Sequence, residues 1–121
     1  MVKENKSANW SVPDRKSIEK LSQKCSATIF RAYDIRGKTD PDLTPDVAYL
    51  IGRAIGSEAR DRALDIAALG RDCRESSPRI AEALCLGILK SGVNVVDIGL
   101  VPTPILYYAT WRFNTGSGVM V

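Results

Sequence analysis

The chain has 121 residues, of which 45% are hydrophobic and 26% are charged, a size and composition typical of one soluble globular domain. No apolar run approaches the roughly 20 residues that a membrane-spanning helix needs, so we expect a cytoplasmic protein without a membrane partner. The sequence contains no histidine, which excludes a Ser-His-Asp triad and a histidine-built zinc site within this chain.

The first 28 residues carry the net charge of +3. They contain six basic and three acidic side chains, whereas residues 29–121 contain 11 of each. Because this segment is rich in Lys, Ser and Asn and has no apolar centre, we predict a polar leader over residues 1–28 that is mostly disordered or loosely helical. A basic arm that binds nucleic acid is the alternative. No motif of aromatic residues alternating with the lysines accompanies this segment, so we expect no nucleic-acid partner.

The next segment, residues 29–37, alternates between polar and apolar residues, and we expect an extended or irregular loop there rather than core. A hydroxyl residue followed by proline then occurs three times, and each pair predicts a helix N-cap with proline at the first helical position. The pairs are Thr44-Pro45, Ser77-Pro78 and Thr103-Pro104. Helices are therefore predicted over about residues 46–59, from residue 78 to Gly92, and over residues 104–112.

The first of these helices carries apolar residues at helical spacing, which predicts one buried stripe. Its members are Val47, Leu50, Ile51, Ala54, Ile55 and Ala59. The third helix is short and aromatic. We interpret its Tyr107, Tyr108 and Trp111 as packing, in the core or at a domain interface, rather than as a stacking surface.

Short apolar runs at residues 66–69, 93–98 and 119–121 alternate with the helices. Continuous apolar runs of this kind indicate strands that are covered on both faces. We therefore predict a βαβαβ unit with right-handed crossovers. The fold class is α/β, with three α/β/α layers and a mainly parallel sheet, in one domain over residues 29–121.

Polar side chains follow the first predicted strand at the edge where open parallel sheets bind ligands. The loop combines arginines and hydroxyls with a helix N-terminus, which are the elements of an anion site. The same residue types also tie turns and cap helices, so both interpretations stay open for this loop. Its residues are Arg71, Asp72, Arg74, Ser76 and Ser77.

The three cysteines are odd in number and fit no metal-binding spacing. We predict that Cys25, Cys73 and Cys85 are reduced thiols and that the chain has no metal site.

Five stretches of the sequence, in this order, resemble the first domain of the α-D-phosphohexomutases of the bacterial phosphomannomutase/phosphoglucomutase type. The resemblance covers about residues 27–121. The stretches are FRAYDIRG at 30–37, LTP at 43–45, GRDCRESSP at 70–78, DIGLVPTP at 97–104 and GVMV at 118–121.

This resemblance implies a four-domain enzyme that interconverts hexose 1-phosphate and hexose 6-phosphate. The family uses a phosphoserine, a bound hexose 1,6-bisphosphate and Mg²⁺. It places the phosphoserine loop directly after the strand that ends here at Val121, so the resemblance implies a first domain that is incomplete at its C-terminal edge. Tyr33 would lie at the substrate-binding surface, and Arg36 would lie near the phosphoserine, where a guanidinium can contact phosphate oxygens.

We expect Arg71, Asp72 and Arg74 mainly to hold their loop. By the resemblance the full-length enzyme would act on hexose phosphates. This chain alone would be inactive and would bind neither Mg²⁺ nor hexose 1,6-bisphosphate. It would also leave an open strand edge at its C-terminus, which predicts self-association. A free-standing module that binds anions or phosphosugars, or that mediates interactions, is the alternative function. A response-regulator-like domain is excluded because no acidic cluster follows the first strand.

Overall fold

The computed structural model describes residues 10–121, in which helices cover both faces of a three-stranded parallel sheet. The predicted α/β fold class is confirmed, as are the three strands and three helices predicted after residue 44. No helix in the described part of the chain is long and apolar enough to cross a membrane. The elements are α1 (Arg15–Lys24), a 3-10 helix (Ala27–Ile29), α2 (Pro45–Asp61), β1 (Ile66–Arg71), α3 (Ser77–Lys90), β2 (Asn94–Leu100), α4 (Thr103–Arg112) and β3 (Gly118–Met120).

The strand order is β2-β1-β3, and both neighbours run parallel to β1. The connections through α3 and α4 therefore step in opposite directions, and right-handed crossovers place the two helices on opposite faces. Leu69 of β1 packs in one core cluster with Ile88 of α3. On the other face, a Cβ added at Gly118 of β3 would meet Leu106 of α4 at 3.4 Å. These contacts define the three layers.

Glycines form the contact between α2 and α3. A Cβ on Gly52 would lie 2.1 Å from the Leu84 carbonyl oxygen, and a Cβ on Gly87 would lie 2.2 Å from the Tyr49 carbonyl oxygen. The two backbones therefore approach so closely that no side chain fits between them at these positions. These glycines, which are not part of the predicted apolar stripe, set the distance between the two helices.

The predicted stripe on α2 is only partly buried, which corrects the expectation from the sequence. Val47 and Ala59 are buried, but Ala54 is exposed and the other three members are half-buried. All six line an apolar groove of about 860 Å³, next to Gly116 and Ser117, which lead into β3. The stripe lines this groove, called here the α2 groove, because the glycine side of the helix packs against α3.

Two of the three predicted N-caps are displaced by one residue. Thr44 caps α2 as predicted, since its Oγ1 accepts a hydrogen bond from the Val47 N–H at 3.2 Å. The other two hydroxyl residues, Ser77 and Thr103, are instead the first residues of α3 and α4. The Ser77 hydroxyl donates to the carboxylate of Asp72, so Ser77 holds the preceding loop and does not cap the helix.

The leader, predicted to be mostly disordered or loosely helical, contains a capped helix in its described part. Asp14 accepts a hydrogen bond from the Ser17 N–H at 2.8 Å and begins α1, and Ile18 packs against the core cluster. Local composition left disorder and a loose helix open, because the stability of this helix depends on contact with another element. Residues 1–9 lie outside the described residues, and the predicted boundary at residue 28 stays a prediction.

The structure contradicts one placement of an apolar residue from the sequence and narrows a second. Ile29, expected in a loop outside the core, is 1% exposed. Conversely, Tyr107, Tyr108 and Trp111 are 69%, 56% and 73% exposed, because α4 buries only Leu106 and Ala109 against the sheet. The aromatic residues are therefore not core, and their assignment to a domain interface stays a prediction.

Replacing Gly52 by alanine tests the close approach of α2 and α3. In an exposed helix interior this change would stabilise the fold by about 1 kcal/mol. Here we expect Gly52→Ala to lower the free energy of unfolding by about 2–3 kcal/mol, because the added methyl group overpacks the contact. Urea unfolding followed by circular dichroism measures the difference.

Ser57→Ala, on the exposed side of α2, is the matched control and should change the unfolding free energy by less than about 0.5 kcal/mol. A stabilising effect of Gly52→Ala would contradict the packing described for α2 and α3.

Candidate functional site

Backbone hydrogen bonds connect the carboxyl ends of the three strands. The Val101 N–H donates to the Arg71 carbonyl oxygen at 3.1 Å, and the Asp72 N–H donates to the Val121 carbonyl oxygen at 2.7 Å. The Val121 N–H in turn donates to the Gly70 carbonyl oxygen at 3.0 Å. The pairing of β1 with both neighbours thus continues beyond the regular strands, and all three segments leave the sheet at one edge.

Asp72 organises the loop that follows β1. One carboxylate oxygen accepts hydrogen bonds from the hydroxyl of Ser77, which is buried, and from the Arg74 N–H at 3.0 Å. The other oxygen pairs with the Arg74 guanidinium at 3.0 Å. The hydrogen bond from Ser77, followed by that from the Arg74 N–H, lowers the pKa of Asp72, because both donors stabilise the ionised carboxylate.

Arg71 lies at the end of β1 and is half-buried. Its guanidinium takes no part in the hydrogen bonds around Asp72, and one of its nitrogens lies 3.6 Å from the position that a Cβ on Gly99 would occupy. Gly99 has a φ of 75° and lies where the register between β1 and β2 shifts. The missing side chain at Gly99 leaves room for the guanidinium, which carries donors suited to an anion.

Ser76 and Ser77 occupy adjacent positions but have different surroundings. Ser76 precedes α3 at the N-cap position, yet its side chain makes no capping hydrogen bond. Ser77 is 4% exposed and is committed to Asp72. Of the two hydroxyls, that of Ser76 is therefore the more accessible to a ligand.

Tyr33 lies on a separate turn, which an antiparallel bridge between Phe30 and Ile35 closes, and Arg36 directly follows this bridge. Tyr33 is fully exposed. The Arg36 Nε donates to Oδ2 of Asp34 at 2.8 Å, which orients the guanidinium. Sequence reasoning did not single out Asp34, although an acidic residue two positions before the arginine was visible in the sequence.

One ion pair connects the region after this turn to the start of α3. Arg79 pairs with Asp40, a residue that follows Arg36 by four positions and has a φ of 48°. Sequence reasoning missed both partners, because nothing local relates positions 39 residues apart. Within residues 10–121, no hydrogen bond or ion pair joins Tyr33 or Arg36 directly to the loop after β1. The structure thus groups the five loop residues and leaves Tyr33 and Arg36 apart from them.

The described residues do not fit the Mg²⁺ that the resemblance implies for the full-length enzyme. Magnesium takes carboxylate and other oxygen ligands, and residues 10–121 bring together no group of three or more Cys, Asp or Glu side chains that could hold a metal ion. The three cysteines are unpaired in the structure, and burial is the main cause that raises the pKa of Cys85 to about 11.

Replacing Asp72 by asparagine tests the charge at the centre of the loop. A carboxyl group whose pKa is lower in the folded chain adds stability above its ordinary pKa of 3.8, and this stability is lost as the pH falls through the folded value. Thermal unfolding between about pH 6 and about pH 3 should therefore show a smaller loss of stability for Asp72→Asn than for the wild type. At neutral pH we expect the variant to be about 1 kcal/mol less stable.

Asp61→Asn is the control, because Asp61 is exposed and accepts no side-chain hydrogen bond within the described range. If Asp72→Asn and Asp61→Asn have the same dependence on pH, Asp72 does not organise the loop through its charge.

Comparison with known proteins identifies the same family as the resemblance in the sequence. Residues 27–121 match the family described as phosphoglucomutase/phosphomannomutase, alpha/beta/alpha domain I. The phosphomannomutase/phosphoglucomutase of Pseudomonas aeruginosa is 50% identical over 95 residues, which are 78% of this chain and 20% of that relative. The phosphoglucomutase of Neisseria meningitidis serogroup A is 48% identical over 93 residues, which are 77% of this chain and 20% of the relative.

A crystal structure of a phosphoglucomutase/phosphomannomutase family protein from Burkholderia thailandensis is also similar, with a TM-score of 0.70 and 49% identity. The similarity covers 71% of this chain and 19% of that chain. The chain thus spans about a fifth of the length of the curated relatives that it matches. Since the family description matches residues 27–121, the chain belongs to the phosphoglucomutase/phosphomannomutase family and contains its alpha/beta/alpha domain I.

Proposed function

We propose that this chain is the first domain of a cytoplasmic phosphohexomutase that interconverts hexose 1-phosphate and hexose 6-phosphate through a phosphoserine. The observation that carries this proposal is the pair of backbone hydrogen bonds that hold Val121 against Gly70 and Asp72. They fix the end of β3 next to the loop that contains Arg71 and Arg74. A serine presented after Val121 would therefore stand beside the backbone of the loop that carries Arg71 and Arg74.

Such an arrangement suits phosphoryl transfer, which depends on positioning and on stabilising charge at the phosphoryl oxygens. In this proposal Asp72, Arg74 and Ser77 hold the loop, and Arg71 and Ser76 provide donors to an anion. Tyr33 belongs to the substrate-binding surface. Arg36, oriented by Asp34, stabilises the phosphoserine.

The proposal assigns the remaining chemistry to other parts of the full-length enzyme. Mg²⁺, when bound there, would neutralise phosphoryl charge, and hexose 1,6-bisphosphate would be the intermediate. Because the described residues include no fitting set of metal ligands, this chain alone is expected to show no turnover. The alternative, a free-standing module that binds phosphosugars or other anions, would use the same arginines without any transfer step.

A domain exchange tests the proposed function. Residues 27–121 of this chain replace the matching 95 residues of the Pseudomonas aeruginosa relative, and mutase activity is followed in a coupled assay. We expect saturable activity from the chimera and a loss of about 10²-fold in kcat when Arg36→Ala is introduced, since each lost donor to developing charge typically costs that much.

Arg62→Ala in the same chimera is the matched control, because Arg62 pairs with Glu58 on α2, away from the strand ends. An inactive but folded chimera would contradict the mutase proposal. If the chain alone then bound inorganic phosphate and lost this binding in Arg71→Ala, the alternative module would be favoured. Turnover by the chain alone that disappears in Arg36→Ala would contradict its expected inactivity.

A further part of the proposal is self-association through β3. Among the described strands, β3 pairs only with β1, so its second edge presents unpaired backbone groups, which tend to recruit another strand. Sedimentation velocity is expected to show dimers or larger species, and Met120→Lys should shift the profile towards the monomer. Ile105→Lys, which places the same charge on an exposed apolar residue of α4, is the control. A monomeric wild type at high concentration, or equal profiles for all three proteins, would contradict self-association.

A further inference from the structure

The family match begins at residue 27, yet the structure describes a folded segment before it. We propose that residues 10–25 form a detachable arm that docks on α2 through Trp10 and closes one side of the α2 groove. The proposal concerns the packing of this chain and does not depend on the proposed enzymatic function.

Trp10 anchors the arm at the first turn of α2. Its indole Nε1–H donates to Oδ1 of Asp46 at 2.7 Å, and its ring centroid lies 6.2 Å from that of Tyr49, with the two planes tilted by 53°. Trp10 also packs against the core cluster. An indole needs both apolar contact and a partner for its N–H group, and this position on α2 provides both.

The rest of the arm runs from this anchor to the α2 groove. Asp14 caps α1, and Ile18 packs against the same core cluster as Trp10. At the other end, Ser22 and Cys25 line the α2 groove. The arm therefore connects the first turn of α2 with the wall of the groove and covers part of the apolar surface between them.

The arm is held more weakly than the rest of the domain. None of the ten residues of α1 is fully buried, and an isolated helix of this length is only marginally stable in water. In contrast, α2 and α3 are joined through the close contact at Gly52 and Gly87. Segments with few buried contacts open at a lower free energy than global unfolding requires. The arm can therefore leave α2 while the sheet and the other helices stay folded, and its departure widens the α2 groove.

Two readouts test whether the arm docks in this way. Cys25 lies at the end of the arm and is half-buried, whereas Cys73 is exposed and Cys85 is buried. The rate of N-ethylmaleimide labelling, measured for each cysteine by peptide mass spectrometry, reports opening of the arm at Cys25. In a Trp111→Phe background Trp10 is the only tryptophan, since the chain contains two, and its emission reports burial of the indole.

We expect Trp10→Ala to accelerate the labelling of Cys25 by about tenfold, which corresponds to the loss of one hydrogen bond and one aromatic contact. The rates at Cys73 and Cys85 should not change. In the Trp111→Phe background, Asp46→Ala should shift the Trp10 emission to longer wavelength. Val12→Ser, at an exposed position of the arm, is the matched control and should leave the Cys25 rate and the emission unchanged.

The proposal is overturned if Cys25 of the wild type reacts as fast as Cys73, or if Trp10→Ala leaves the Cys25 rate unchanged. Should Trp10→Ala unfold the chain, rapid labelling of Cys85 will reveal it, and Asp46→Ala then decides the question through Cys25. A faster Cys25 reaction with Cys85 still protected supports a detachable arm. Simultaneous exposure of both thiols in Asp46→Ala shows that the arm and the core unfold together, which refutes detachment.

Discussion

The close approach of α2 and α3 determines the arrangement of much of this domain. Since the α2 backbone contacts the α3 backbone at Gly52 and Gly87, the glycine side of α2 must face α3. The apolar stripe on α2 is thereby only partly buried, and its residues line the α2 groove. This orientation leaves part of the α2 surface uncovered by α3. The N-terminal arm docks on this uncovered surface, and the apolar side chains of this surface form the groove next to β3.

The central position of β1 arranges the candidate site at the carboxyl ends of the strands. Strand β1 pairs with β2 on one side and with β3 on the other, so the loop that follows it contacts the ends of both neighbours. Asp72 contributes to this arrangement twice, through its N–H to Val121 and through its carboxylate to Ser77 and Arg74. The loop is therefore ordered by bonds within the domain, and the guanidinium of Arg71 is presented from a supported backbone.

The family relationship and the N-terminal arm concern different parts of the chain. Residues 27–121 match the phosphoglucomutase/phosphomannomutase domain I, and the proposed chemistry lies at the strand ends within that range. Residues 10–25 lie outside the match, and they contact α2 near its first turn and at the groove. The α2 groove is thus bordered by the arm at Cys25 and by the segment before β3 at Gly116. An occupant of the groove would meet both.

The sequence by itself determined the fold class, the order of strands and helices after residue 44, and the family. Local patterns suffice for these features: a proline after Thr44 begins a helix, and an apolar run such as residues 66–69 forms a buried strand. Only the tertiary structure decided which face of α2 is buried, that Ile29 belongs to the core, and that Trp10 docks on Asp46. Each of these depends on a contact between distant residues, such as Gly52 with Leu84, and a local pattern carries no information about its distant partner.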